Sequence, residues 1–435
     1  MEKISKKIVG EVEISQEKIS LYKREIKNII DFKKKVEAVL EKSATTILEV
    51  ILSGAILLDA SDIHIEPEEN QAKLRLRIDG ILQDILFINL KIYNLLLSRI
   101  KLLSGLKLNI TDRPQDGRFS ILFEGGAIEI RTSTLPAEYG ETIVLRILNP
   151  KSLISIEKLG LREDLLEIFE KEIKQPNGMI IVTGPTGSGK TTTLYAFLKR
   201  IQRPEIKIIT IEDPIEYHLE GISQTQVNPK RGYDFANGLR SIMRQDPDVI
   251  LVGEIRDLET ATIALQAALT GHLVFTTLHT NDAAGTVARL VNLGAKPIDI
   301  GPAINMAIAQ RLVRRVCKKC VKFEKASTKI LKTLKKELKG IPKRIKIPKI
   351  KEGIKLPKAV GCKYCNFTGY RGRVGIFEAF LIDDEMEEFI LKKPSIAALR
   401  EKAIEKGMVP MKQDGLIKVL NAITTIEEVE RVTGE

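Results

Sequence analysis

Lys73 to Ile78 alternates charged and apolar residues, a period of two that gives one strand face all the apolar side chains. Asp79-Gly80 follows as a turn. Residues 43 to 58 read as an amphipathic or buried helix, preceded by a charged, helix-compatible segment, and Leu90 to Gly105 has helical spacing. Phe119 to Phe123, Ala127 to Ser133 and Thr142 to Leu148 read as strands, with turns at Gly125-Gly126 and Glu138 to Gly140. The pattern predicts an α+β domain with an antiparallel sheet.

Asn149 to Gly160 reads as a linker and Leu161 to Lys174 as a helix. From Gln175 the pattern becomes strand, loop, helix, repeated. Met179 to Val182, Lys207 to Ile211, Val249 to Val252 and Leu273 to Thr277 are short β-rich runs, as strands buried on both faces of a parallel sheet should be. Right-handed βαβ crossovers then put phosphate chemistry at their carboxyl ends. After about residue 312 the periodicity weakens. Pro342, Pro348 and Pro357 sit among lysines, which predicts an extended, exposed excursion. Residues 375 to 435 return to helical patterning, with a helix start at Pro394 to Leu399. The fold class is α/β: a RecA-like P-loop domain after an α+β first domain, then a tetracysteine segment and a helical end. The expected divisions are 1–42, 43–150, 151–315, 316–370 and 371–435.

Gly184-Pro185-Thr186-Gly187-Ser188-Gly189-Lys190-Thr191 fills every fixed place of the G-x-x-x-x-G-K-[ST] phosphate loop, with Thr192 next. Glycines let the backbone curl so that its N–H groups point at phosphate oxygens. Lys190 reaches the β- and γ-phosphates of ATP, and the Thr191 hydroxyl ligates Mg²⁺. A strand precedes the loop and a helix, Lys190 to Gln202, follows it, as anion binding requires.

Hydrolysis needs more than a cradle. Val249 to Val252 ends in Gly253-Glu254, an apolar strand delivering a carboxylate, which we assign to orient or deprotonate the attacking water. Glu212-Asp213-Pro214-Ile215-Glu216 also brings carboxylates to a strand's end, though Asp-Pro is equally a turn signal. His272 and His279 flank Leu273 to Thr277 as candidate γ-phosphate sensors. Arg240 and Arg244 lie four apart on one helix face. Arg131 and Arg146, by spacing alone, read as exposed strand arginines.

Length and composition narrow the class. The 435 residues suggest two to four domains. No apolar run reaches the roughly 18 residues of a membrane span, and the N-terminus lacks a signal peptide's apolar core. A cytoplasmic protein is expected. Cys317-x-x-Cys320 and Cys362-x-x-Cys365 then favour one closed Zn²⁺ site over disulfides. The formal net charge is +12, much of it between Lys322 and Lys358. With aromatics at 5% and no Trp, a membrane surface or a protein is favoured over nucleic acid.

The stretches GPTGSGKTTTLY, TIEDPIEY, LRSIMRQDPDVILVGEIRD and TGHLVFTTLHTNDA, with ASDIHIEP, RPQDGRF and RTSTLPAEYGETIVLRIL, resemble the type II secretion and type IV pilus assembly ATPases over roughly residues 45 to 435. CKKC, CKYC and GYRGRVGIFE look like that family's metal-binding insert. The resemblance implies a homo-hexameric cytoplasmic motor at the inner face of the membrane. It implies a PAS-like first domain that rotates against the RecA-like one, a polytopic platform protein as partner, and addition of pilin or pseudopilin subunits. A membrane adaptor is a further implied partner, although only about 40 residues precede the conserved region where members commonly carry a long docking extension. Residue by residue, it implies that Lys190 and Thr191 are the phosphate-loop pair and Glu254 the catalytic glutamate. Glu212 to Glu216 becomes an aspartate box, His272 and His279 a histidine box, and Arg240 and Arg244 an active-site pair. Arg131 and Arg146 become arginines that reach the nucleotide. The competing readings are a retraction motor of the same superfamily, against which the tetracysteine insert argues, and an ATP-regulated, zinc-bearing nucleic-acid-binding protein.

Overall fold

The computed structural model describes residues 10–123, 126–149 and 154–434. Residues 1–9 of the N-terminal segment, Gly125 of the expected turn and residues 150–153 of the expected linker lie outside the described residues. The chain forms two compact units. The first runs to Ser152 and takes two short returns, Cys317–Cys320 and Val360–Arg371. The second takes Leu153–Val316, Val321–Ala359 and Gly372–Glu435.

The first unit is a seven-stranded sheet with helices against one face. In chain order its strands are β1 (Glu11–Glu13), β2 (Ala60–Pro67), β3 (Gln71–Ile78), β4 (Ile81–Asn89), β5 (Gln115–Phe123), β6 (Gly126–Ala137) and β7 (Gly140–Leu148). They lie in the order β1-β5-β6-β7-β2-β3-β4. All pair antiparallel except β1 with β5. The alternation in β3 resolves as expected: Ala72, Leu74, Leu76 and Ile78 are buried, while Lys73, Arg75 and Arg77 take the other face. Helices Gln16–Glu25, Ile29–Glu37, Ala44–Leu57 and Leu90–Ser104 add Phe32, Val36, Ile51, Leu96 and Ile100 to the core. Ser43 and Asn89 cap the last two helices by accepting the N–H of Thr46 and Ile92.

The sheet's register produces a charged row. Arg118 pairs with Arg131, Arg131 with Arg146, Arg146 with Asp62, and Asp62 with Arg77. Four guanidinium groups thus flank one buried carboxylate across five neighbouring strands.

The second unit holds β8 (Gly178–Thr183), β9 (Ile208–Glu212), β10 (Ser223–Gln226), β11 (Val249–Val252), β12 (Leu273–Leu278), β13 (Ile304–Val316), β14 (Lys322–Lys325), β15 (Lys355–Lys358) and β16 (Tyr370–Leu381), the last entering from the first unit. Its main sheet has the order β10-β9-β11-β12-β8-β13-β16. Every pair from β10 to β13 is parallel, so the carboxyl ends of β8, β9, β11 and β12 share one edge. Helices cover both faces and fill two apolar cores.

Two expectations need correction. Residues 375–381 are strand, not helix: Val374, Ile376, Phe377 and Phe380 are buried within β16, and helix resumes at Asp384–Leu391. The lysine-rich excursion is folded rather than extended. It holds helix Thr328–Glu337 and the β14–β15 pair, and it buries Leu334, Leu338, Ile345 and Leu356 against Leu416, Ile417 and Val429. Its prolines sit outside the helix and so do not interrupt it. Among the described residues no helix is long and apolar enough to cross a membrane.

Candidate active site

The loop after β8 has the backbone its glycines permit. Gly184, Gly187 and Gly189 have φ of 144°, 79° and 89°. Close packing adds a second reason for two of them. A methyl group at Gly184 would lie 2.5 Å from the Gln310 carbonyl oxygen, and one at Gly189 would lie 2.8 Å from Gln310 Nε2. Gln310 on β13 therefore forms the loop's floor, and its Oε1 accepts from Thr193 Oγ1 at 2.6 Å. Thr183 ties the loop to β12 by donating to the Leu278 carbonyl at 3.0 Å and accepting the Thr280 N–H at 2.7 Å.

The loop also has the polar chemistry of an anion cradle. Lys190 opens helix Lys190–Ile201, is buried, and donates to the Gly184 and Pro185 carbonyls at 2.9 and 3.2 Å. Burial pushes its pKa down, and the Glu254 carboxylate opposes that shift. The Ser188 hydroxyl is buried with no hydrogen-bond partner among the described residues. An orphaned donor in a glycine loop at a helix N-terminus suits a phosphate oxygen. Pro185, Thr186 and Gly187 are exposed at the loop's crest, and Thr191 and Thr192 are half-buried in the first helical turn.

Glu254 stands beyond the end of β11, mostly buried. One carboxylate oxygen accepts from Arg256 Nη2; the other lies 3.5 Å from His279 Nε2. Burial, and then the Lys190 charge, hold the His279 pKa below the ordinary imidazole value. Arg256 also reaches Asp213 at 4.0 Å. Lys190, Glu254, Arg256, His279 and Asp213 thus gather at the shared edge. Arg256 was absent from the sequence expectations. Its signal was available: it lies two residues after Glu254, just beyond the end of the same strand.

Gly253 has a steric reason. A Cβ there would lie 3.2 Å from the Ile211 carbonyl oxygen and 3.3 Å from Glu212 Cα.

The other expected residues are placed differently. Glu212 is buried, and its carboxylate accepts from Tyr195, from Thr210 Oγ1 at 2.6 Å and from Gln224 Nε2 at 3.2 Å. Burial raises its pKa. Glu216 is half-buried in the following loop. His272 lies at the amino end of β12, its Nδ1 3.1 Å from the Ala267 carbonyl oxygen, at the opposite end of that strand from His279. Arg240 is exposed and pairs with Glu259; Arg244 is exposed at the helix end and donates to the Arg240 carbonyl at 3.0 Å. Arg131 and Arg146 belong to the first unit. Arg131 pairs with Glu129 at 3.6 Å and Arg146 with Asp62 at 3.0 Å.

The four cysteines also lie in the first unit. Cys317 Sγ is 4.0 Å from Cys362 Sγ, Cys320 Sγ is 3.7 Å from Cys365 Sγ, and Cys362 and Cys365 are 3.8 Å apart. Bonds of about 2.3 Å to a tetrahedral zinc give sulfur–sulfur edges of about 3.8 Å. The thiols are set for one metal ion, and none is at disulfide distance.

Residues 37–431 match the Type II/IV secretion system protein family. The chain belongs to that family. It is 47% identical to type II secretion system protein E of Pectobacterium carotovorum, over 89% of this chain and 75% of that protein. It is 45% identical to the type IV pilus assembly ATPase PilB of Thermus thermophilus, over 89% of this chain and 43% of PilB. A solved structure of the pilus retraction motor PilT with bound ADP is 27% identical with a TM-score of 0.58, covering 88% of this chain and 96% of PilT. The RecA-like fold and the phosphate loop of the second unit are this family's.

Proposed function

We propose that the chain is a motor ATPase of a type II secretion or type IV pilus assembly machine. It hydrolyses ATP to ADP and phosphate and uses the work to add pilin or pseudopilin subunits. The observation that carries this reading is the Glu254 carboxylate, held between Arg256 and His279 on the same sheet edge as Lys190. The loop amides, Lys190 and the Ser188 hydroxyl bind the phosphates, and Thr191 would hold Mg²⁺, which would supply further charge compensation to them. Glu254 orients a water in line with the γ-phosphorus and accepts its proton as the β–γ bridging bond breaks. Arg131 and Arg146 supply charge to the transferring phosphoryl group, and Arg240 and Arg244 serve the same chemistry. Glu212 supports the edge through its three donors, and Glu216 and His279 complete the set; His272, at the amino end of β12, lies at the far end of the strand from this edge.

Cys317, Cys320, Cys362 and Cys365 hold a structural Zn²⁺ whose four thiolates leave no position for catalysis. The motor works as a homo-hexamer on the cytoplasmic face of the inner membrane, against a polytopic platform protein. The tetracysteine cluster favours assembly over retraction. The decisive experiment is Glu254→Gln: turnover should fall by about two to four orders of magnitude while ATP binding is retained. Undiminished turnover would sink the reading.

A further inference from the structure

Glu378 on β16 is a buried carboxylate that touches none of the phosphate-loop residues named above. Its Oε1 accepts the Ala283 N–H at 2.8 Å, and its Oε2 accepts the Met411 N–H at 3.0 Å. One side chain thus ties the segment that follows β12 to the start of helix Met411–Leu420. That helix begins after Pro410, whose side chain has no oxygen to cap it, so Glu378 satisfies an N–H that would otherwise be orphaned. Burial pushes the carboxyl pKa up, and the two N–H donors oppose the shift. An apolar residue here would leave two buried N–H groups without partners.

The segment that Glu378 holds begins with His279. Thr280 anchors its near end, its N–H donating to Thr183 Oγ1 at 2.7 Å just before the phosphate loop. Ala283, on Glu378, anchors the far end. Between them Asp282 accepts the Gly285 N–H at 2.7 Å through one oxygen and pairs with Arg400 of helix Ile396–Glu405 through the other. Both side chains that grip the far end, Glu378 and Arg400, therefore come from the C-terminal part of the chain. A segment fixed at one point can pivot; a second point sets its direction. Direction matters at His279, because 3.5 Å from its Nε2 to the Glu254 carboxylate is already the outer limit of a hydrogen bond.

We propose that Glu378 is a positioning residue for ATP turnover: through Ala283 it directs the segment so that the His279 imidazole faces the Glu254 carboxylate. The inference rests on the motor-ATPase reading, in which Glu254 is the general base.

The test is a double-mutant cycle on ATP turnover by the full chain. Glu378→Gln keeps the side chain's shape but turns an amide NH₂ toward one of the two N–H groups. It should lower kcat about fivefold and leave KM for ATP within about twofold. In a His279→Asn background the same substitution should change kcat by less than about twofold, because the imidazole it positions is gone. A merely structural role would lower the active fraction by one factor in both backgrounds. Arg400 is exposed, so Arg400→Gln leaves the core intact. It should lower kcat about threefold, again only where His279 is present. Equal losses in the two backgrounds, a raised KM at unchanged kcat, or full turnover by a folded Glu378→Gln protein would overturn the proposal. If Glu378→Gln does not fold, Arg400→Gln decides, and equal losses in both backgrounds, or none, overturn it. Failure of the motor reading shows instead as unchanged turnover in Glu254→Gln, a result independent of Glu378.

Discussion

His279 Nε2 lies 3.5 Å from Glu254 Oε2, so an imidazole on the segment after β12 faces the carboxylate that ends β11. Burial, and then the Lys190 charge, lower the His279 pKa and so favour its neutral form. Neutral, it can donate one hydrogen bond and steer the carboxylate; protonated, it draws charge from the general base. Turnover should therefore stay level as pH drops through the ordinary imidazole pKa and fall only at a lower pH. His279→Asn should lower the plateau about tenfold and flatten the histidine part of the acid limb. An unchanged pH profile in the variant would remove His279 from the proton path.

A side chain at Gly253 should cost stability. A Cβ there would stand 3.2 Å from the Ile211 carbonyl oxygen, a tight contact against strand backbone, which yields less easily than a side-chain end. Gly253→Ala should cost about 1–3 kcal/mol in unfolding experiments, and Gly253→Asp more. A Gly253→Asp protein with native stability would refute the steric account of Gly253.

Arg146→Ala tests the charged row. Asp62 keeps Arg77 at 3.4 Å and Ser61 at 2.8 Å, so the fold should lose at most about 1 kcal/mol. Turnover should fall far more than ATP affinity, and Arg131→Ala should behave alike. Equal losses in affinity and turnover would mean that these arginines bind the ground state; unchanged turnover in both would separate them from the reaction.

Glu428 supplies a pH-dependent stability. It is buried between Arg314, at 2.7 Å, and Arg431, at 2.7 Å, and its pKa is held down to about 2. A depressed carboxyl pKa stabilises the fold above the unfolded value and loses that contribution as pH falls through the folded one. Glu428→Gln should therefore destabilise the second unit by about 3 kcal/mol near neutrality. The gap to wild type should close between about pH 5 and pH 2, as read from urea midpoints. A constant gap would mean that packing, not charge, sets the effect.

Local chemistry was the legible part of the sequence. The phosphate loop and the two C-x-x-C pairs are set by short-range spacing, and the structure keeps the spacing. The Glu254 strand could be read because a buried parallel strand is a short apolar run. β16 could not: its apolar residues and Gly375 fit helix and strand periods equally until a neighbouring strand is known. β4 lost its alternation to a register shift opposite Leu74 and Arg75. The folded state of the lysine excursion depends on Leu416, Ile417 and Val429, far along the chain. The Arg118–Arg131–Arg146–Asp62–Arg77 row exists only once five strands are in register.

β13 serves two ends of the second unit. Gln310 is the floor of the phosphate loop, and four residues on Arg314 grips Glu428 while the Val316 N–H donates to the Ile423 carbonyl at 2.9 Å. One continuous strand therefore joins the floor of the phosphate loop to the ion pair that fixes the last helix, so a substitution at either end bears on the same element.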